Sequence, residues 1–386
     1  MKSTQIILSI ILVAVLILVI VPLALKWSGV DIFSVSETTN TSGTGAINGV
    51  LIRSEDRGNQ WNDVSVSEDP RAPFPSTIFT FVPDPRNQNN FFIGTKASGL
   101  WKSINGARTW NRVNDSAGVL AATADVYDVE VAGSSSDIMY VAAFQGNHGR
   151  VLKSENSGMS FHEIYSTTAE QTPVFDISVD PSDSGHILIA TGENGLFESK
   201  NGGATWAVKK WFTKPVVKIL VNPRNRSELY VMTADGGIFK SISGGAQWTG
   251  ISENAGDNEV SVNGSSPFGN FFGSNTTVTQ NMLLLDPNDP SHLYLGSQQG
   301  FSTSEDGGIS FKKLNLLLPK EALPISAIGI DPHNSNVIFV AAKNELDKST
   351  DKGATWSVRR FSTARSIINL IIPANIPDSM FIILGK

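Results

Sequence analysis

One octapeptide recurs seven times along this 386-residue chain, and no other feature narrows the possible folds as far. Its copies begin at Ser54, Ser103, Ser154, Ser199, Ser241, Ser304 and Ser349. The third position is Asp56, Asn105, Asn156, Asn201, Ser243, Asp306 or Asp351, a short side-chain acceptor in every copy. Gly58, Gly158, Gly203, Gly245, Gly308 and Gly353 hold the fifth position, broken only by Ala107. The eighth is aromatic throughout: Trp61, Trp110, Phe161, Trp206, Trp248, Phe311 and Trp356. Successive copies start 49, 51, 45, 42, 63 and 45 residues apart. That period suits a four-stranded unit repeated radially.

Each position has a physical reason in a β-hairpin turn. The acceptor at position three bonds backbone N–H groups just ahead of it, and the glycine supplies a positive φ without steric penalty. The aromatic opens the outer strand and buries its ring between neighbouring units, a gross gain of about 3 kcal/mol or more. Upstream lies a second shared frame of strand, Asp-Pro-type turn and strand, as at Asp84-Pro85, Asp180-Pro181, Asn222-Pro223, Asp286-Pro287 and Asp331-Pro332. A unit therefore reads strand A, Asp-Pro turn, strand B, short loop, strand C, octapeptide turn, strand D. The first unit has only strand C and its octapeptide (Gly49 to Trp61), and the last has only strands A and B (Asn369 to Leu384). The two fragments complete one blade, which predicts an all-β, seven-bladed propeller closed by N-terminal strands on C-terminal ones.

Composition agrees and excludes several functions. The 34 glycines point to many turns. A net charge of -6 without a basic stripe argues against nucleic acid as a partner. With no cysteine there is no disulfide, thiolate chemistry or lipid-modified N-terminal cysteine. His148, His162, His186, His292 and His333 lack metal-ligand spacing, so no metal and no cofactor is expected.

Ile6 to Leu25 is a run of 20 residues broken only by Ser9 and Pro22, long enough to span a bilayer core as a helix. Its length and the missing small-x-small site favour an uncleaved anchor, residues 1–27, over a signal peptide. Lys2 at the short N-terminal side places the N-terminus in the cytoplasm and the remaining chain outside it. Residues 28–48 read as a flexible stalk and residues 49–386 as the propeller.

The octapeptides resemble the Asp-box, or BNR repeat, of sialidases, sortilin-type receptors, xyloglucanases and the photosystem II assembly factor family. That resemblance covers about 49–386 and implies that the octapeptides lie on the face opposite the ligand site and are structural. It looks closest to the assembly-factor-like group, which implies a binding or assembly scaffold for a protein or glycan ligand. Against a sialidase, the inner strands contain no arginine, and Tyr140, Tyr230 and Tyr294 share one strand-B packing position. Against a xyloglucanase, whose site lies between two propellers, there is one propeller here. The alternative function is a glycoside hydrolase using Asp128, Glu130 and Asp176.

Counting four residues back from each Asp-Pro position gives Thr80, Asp128, Asp176, Lys218, Met282, Ala327 and Asn369, a register that faces the central channel. Asp128, Asp176 and Lys218 come from consecutive units, Glu130 lies one pleat deeper, and Lys218 is placed to pair with Asp176. These four are either a salt-bridged channel lining or a ligand site. The connection 250–279 carries Phe268, Phe271 and Phe272, and these read either as recognition residues or as the packing of a lid. With the loop His148 to Arg150, this connection is expected on the face opposite the octapeptides.

Overall fold

The computed structural model describes residue 47 and residues 49–251, 282–316, 318 and 320–386. The run Ile6–Leu25, all of the stalk except Ile47, and Phe268, Phe271 and Phe272 lie outside these residues. Among the described residues no helix is long and apolar enough to cross a membrane.

The chain forms an all-β, seven-bladed propeller. Strands β1 (Leu51–Ser54) and β2 (Asn62–Asp63) begin it. The first blade is β3 (Ile78–Pro83), β4 (Phe91–Thr95), β5 (Leu100–Ser103) and β6 (Asn111–Arg112). The second is β7 (Asp125–Val131), β8 (Met139–Gln145), β9 (His148–Ser154) and β10 (His162–Ser166). The third is β11 (Val174–Asp180), β12 (Asp183–Thr191), β13 (Gly195–Ser199) and β14 (Ala207–Trp211). The fourth is β15 (Val216–Val221), β16 (Leu229–Thr233), β17 (Ile238–Ser241) and β18 (Thr249–Gly250). The fifth is β19 (Met282–Leu285), β20 (Leu293–Ser297), β21 (Gly300–Ser304) and β22 (Lys312–Leu314). The sixth is β23 (Ala327–Asp331), β24 (Asn334–Ala342), β25 (Glu345–Ser349) and β26 (Ser357–Arg360). The chain ends with β27 (Ser366–Ile371) and β28 (Met380–Gly385).

These last two strands meet the first two in one sheet of order β2-β1-β28-β27, with Leu51 opposite Ile383 and Ser54 opposite Met380. Closure by pairing of the two ends is therefore as the sequence predicts, with the N-terminal part supplying a strand D as well as strand C. Neighbouring A strands lie side by side around the axis. The antiparallel order puts A–B and C–D turns on one face and B–C turns and D–A connections on the other.

The seven C–D turns share one hydrogen-bond scheme. Each octapeptide serine accepts the N–H of position five at 2.7–3.0 Å, from Gly353 to Ser349 at the short end and Ala107 to Ser103 at the long end. The oxygen at position three accepts the N–H of position seven, as Asp56 does from Gln60 at 2.7 Å and Asn105 from Thr109 at 3.1 Å. Positive φ occurs at positions four and five alike, including Arg57 at 58° and Ala107 at 61°. The serine hydroxyl thus closes the turn, which is why no copy replaces it.

Apolar clusters between blades form the core, such as Phe92 and Leu100 of the first blade against Val129, Val141 and Leu152 of the second. The blades approach so closely that a Cβ on Gly94 would stand 2.5 Å from Val126 O. A second tie was not legible in the octapeptides. The residue before the serine reaches position four of the next blade's turn, with Arg53 donating to Gly106 O, Lys102 to Ser157 O, Lys240 to Gly307 O and Lys348 to Arg57 O. Each of these cations also lies over the ring of its strand-B partner: Phe381, Phe92, Tyr230 and Phe339.

Candidate functional site

The A strands of the first four blades carry a continuous polar arc along the channel. Each A strand is an edge strand of its blade, so every second N–H points away from the sheet and needs an acceptor. Asp128 of the second blade accepts the Ile177 N–H of the third at 2.9 Å, and its other oxygen accepts the Thr80 hydroxyl of the first at 3.2 Å. Asp176 repeats the arrangement one blade on, accepting the Ile219 N–H at 2.7 Å while its other oxygen lies 2.5 Å from Lys218 Nζ. Both carboxylates are buried, and the Lys218 side chain is 47% exposed along the channel. The pairing expected of Lys218 and Asp176 is present.

A β-bulge accompanies this polar position. Pairing shifts by one residue just before Thr80, Asp128, Asp176, Lys218 and Asn369, whereas β23 begins its pairing only at Ala327. The extra residues in the first three blades are Phe79, Tyr127 and Phe175. Phe79 stacks on Tyr127 at 4.9 Å, and Tyr127 meets Phe175 edge to face at 5.5 Å. This aromatic row was missed in the sequence because strict alternation hides a bulged residue. Its signal was present as an aromatic immediately before each of Thr80, Asp128 and Asp176.

Burial sets the electrostatics of the arc. Burial raises Glu130 well above the ordinary carboxylate range, with Asp128 adding to the rise and Lys218 opposing it. Burial also pushes Asp176 up to about 7, against the pull of Lys218, whose own pKa the carboxylates raise. The arc is one cation shared among three carboxyl groups.

The remaining candidates are placed differently. His148 and Arg150 are not in a loop: they open β9, where Gln145 pairs with His148 across the two-residue turn Gly146-Asn147. Positive φ at both turn residues lets the hairpin close in two residues, leaving no loop there. His148 Nδ1 lies 3.0 Å from Thr167 O, and Arg150 pairs with Glu163. Both are on the face opposite the octapeptide turns but are not part of the arc. Tyr140, Tyr230 and Tyr294 are buried, with hydroxyls donating to Ser184 O, Glu228 and Asp286. Among the described residues no group of three or more His, Cys, Asp or Glu is arranged to hold a metal ion.

One buried acid escaped sequence reasoning. Asp347 is fully buried, and neither of its oxygens meets a donor among the described residues. It stands two residues before an octapeptide serine, where five other blades carry Ile52, Trp101, Leu152, Phe197 and Phe239 and the remaining one carries Ser302. Burial, reinforced by Glu345, pushes it up to about 7, while Arg360 opposes the rise.

No protein-family model matches the chain, and no curated protein matches it at a significant level. Solved structures do. The GH74 enzyme of Niastella koreensis superposes with a TM-score of 0.57 at 16% identity, over 80% of this chain and 51% of the enzyme. The GH74 xyloglucanase of Xanthomonas campestris gives 0.59 at 14% identity, over 84% of this chain and 52% of the xyloglucanase. The chain thus spans about half the length of these two enzymes. YCF48 from Cyanidioschyzon merolae gives 0.59 at 11% identity, over 81% of this chain and 97% of YCF48. YCF48 bound to D1 peptide gives 0.59 at 12% identity, over 81% of this chain and 94% of YCF48. At these identities the likeness is one of fold: the chain is a seven-bladed β-propeller of the architecture found in GH74 enzymes and YCF48.

Proposed function

We propose that this chain is a membrane-anchored, extracytoplasmic propeller of the Asp-box type that binds a protein or glycan ligand on the face opposite the octapeptide turns, as a scaffold and not as an enzyme. The observation that carries the reading is the occupation of Asp128 and Asp176. All four of their carboxylate oxygens are engaged by Thr80, Ile177, Lys218 and Ile219. A general base or nucleophile needs an oxygen free for water or sugar. The half-exposed Lys218 side chain and the channel mouth remain open to a ligand. YCF48, which matches over nearly its whole length, has been seen bound to a peptide, in keeping with such a role.

Glycoside hydrolysis is the second reading, and Glu130 is the residue that favours it. A carboxyl whose pKa burial raises has the character of a general acid. The test combines two measurements on the full-length protein. A photo-crosslinker at Glu170, on the face opposite the octapeptide turns, should capture a cell-envelope component that one at Lys200, in an octapeptide turn, does not. Capture confined to Lys200 overturns the assignment of the face. Xyloglucan hydrolysis that disappears in Glu130→Gln overturns the scaffold reading.

A further inference from the structure

The outer corner of the third blade carries an arrangement that neither the octapeptides nor the channel explains. Trp211, the last residue of β14, is 54% exposed, although its ring lies edge to face with Phe197 at 5.4 Å. Lys210 and Lys214 flank it and are exposed, as is Thr213 between them. Lys209, by contrast, turns to Glu198 at 2.8 Å. Val208 adds further exposed apolar surface on the same strand. An exposed indole between lysines is the composition that settles at a lipid headgroup layer, with the ring at the interface and the ammonium groups on anionic headgroups.

The corner lies on the face opposite the octapeptide turns. Trp211 pairs with Gly195 beside a B–C turn, and the Phe212 N–H donates to Asn194 O in that turn at 2.8 Å. The N-terminal end of the described propeller is on the same face. The Ile47 N–H donates to Ser362 O, in the D–A connection that leads into the closing blade. In the sequence, 21 residues separate Ile47 from Leu25 at the end of the apolar run. Nearby carboxylates are partly committed elsewhere: Glu193 accepts from the Thr168 hydroxyl and the Ala169 N–H, and Asp235 from the Thr233 hydroxyl. Glu170 stays exposed on the preceding connection. With a net charge of -6 the chain as a whole has no attraction for an anionic surface, so any such contact is local to a corner like this one.

We infer that Lys210, Trp211 and Lys214 form a contact for anionic lipid headgroups, on the surface of the membrane that holds the N-terminal run. The inference rests on the anchored reading for which membrane is met, while the corner's chemistry stands on its own. A headgroup contact at this corner turns the face opposite the octapeptides toward the bilayer. A ligand of that face is then one presented by the same membrane.

The chain has no cysteine, so single-cysteine labels are clean. The full-length protein is labelled with a fluorophore at Thr213→Cys, or at Lys200→Cys on the octapeptide face. It is then mixed with vesicles of phosphatidylcholine, alone or with phosphatidylglycerol, that carry a headgroup quencher. Quenching is expected at position 213 with phosphatidylglycerol present and not at position 200. Lys210→Gln with Lys214→Gln should weaken the contact by about 10- to 30-fold, and Trp211→Ser should weaken it as well. Co-flotation that resists high salt with no quenching at 213 keeps the anchor and overturns the inference. Salt-sensitive co-flotation, confined to phosphatidylglycerol vesicles and lost in the lysine variant, keeps the inference and overturns the anchor. Absence of co-flotation with either lipid overturns both. Quenching equal in both lipids and unchanged by the lysine substitutions also overturns the inference, and leaves Trp211 to a protein partner.

Discussion

Lys218 Nζ stands 2.5 Å from Asp176 Oδ1, which ties the innermost strands of the third and fourth blades across their boundary. Removing the lysine leaves a buried carboxylate without its counter-charge, and breaking a buried pair in this way costs about 3 to 5 kcal/mol. The half-exposed lysine side chain places Lys218→Met at the lower end of that range. Asp176→Asn with Lys218→Met should cost less than the single Lys218→Met, because no lone charge remains. Denaturant titration of the single and double variants measures the coupling, and purely additive losses would show that the pair contributes nothing.

Asp347 makes stability depend on pH with a sign opposite to that of an ordinary paired carboxylate. Its folded pKa is pushed up to about 7, and an unfolded aspartate titrates near 3.9. Between these values the folded chain holds a proton that the unfolded chain has lost. The contribution is therefore fully present below about pH 4 and is lost as pH rises to about 7. Glu345 and Arg360 are the charged groups that act on it. Asp347→Asn should raise the melting temperature at pH 8 and flatten its fall between pH 4 and 7. Asp176 and Glu130 supply the slope that remains. An unchanged slope would mean that Asp347 ionises freely in the fold.

The octapeptide aspartates act at the other end of the scale. The Thr355 hydroxyl and N–H, with the Ser349 hydroxyl, hold Asp351 down to about 2, and Asp306 is lowered in the same way by Ser310 and Ser304. Their contribution is present above about pH 4 and is lost as pH falls toward 2. Asp306→Asn with Asp351→Asn should reduce the loss of melting temperature over that interval. An identical acid limb in wild type and variant would refute the assignment.

Closure predicts an all-or-none response to truncation. Ending the chain at residue 366 removes nearly all of β27 and all of β28, and with them the partner of β1. The clamp on the first octapeptide, where Arg359 donates to Gly58 O and Asn59 O, cannot replace a missing sheet. The loss should exceed the roughly 5 to 15 kcal/mol that holds a typical domain folded. A truncated protein that melts cooperatively would rule out the shared blade.

The octapeptide aromatics are not equivalent. Trp110 is fully buried, whereas Trp206 is half-buried and donates its indole N–H to Ile164 O of the preceding blade at 2.9 Å. Trp110→Ala should cost about 3 to 5 kcal/mol and Trp206→Ala less. Equal melting temperatures for the two variants would show that burial does not set the cost.

Seven octapeptides with an Asp-Pro frame between them determined the blade count, the order of strands within a blade and the closure of the ring. Each of these follows from local turn chemistry repeated at a fixed period. The channel register of Asp128, Asp176 and Lys218, and the pairing of the last two, followed from counting back from the same turns. Tertiary structure decided what local pattern does not encode. Whether Asp128 is free or engaged depends on the Ile177 N–H, 49 residues away in the next blade. The bulges that bring Phe79, Tyr127 and Phe175 together, and the short turn that puts His148 and Arg150 into a strand, depend on cross-strand pairing. The burial of Asp347 depends on the neighbouring blade, because a strand-C position reads alike in sequence whether a blade covers it or water does.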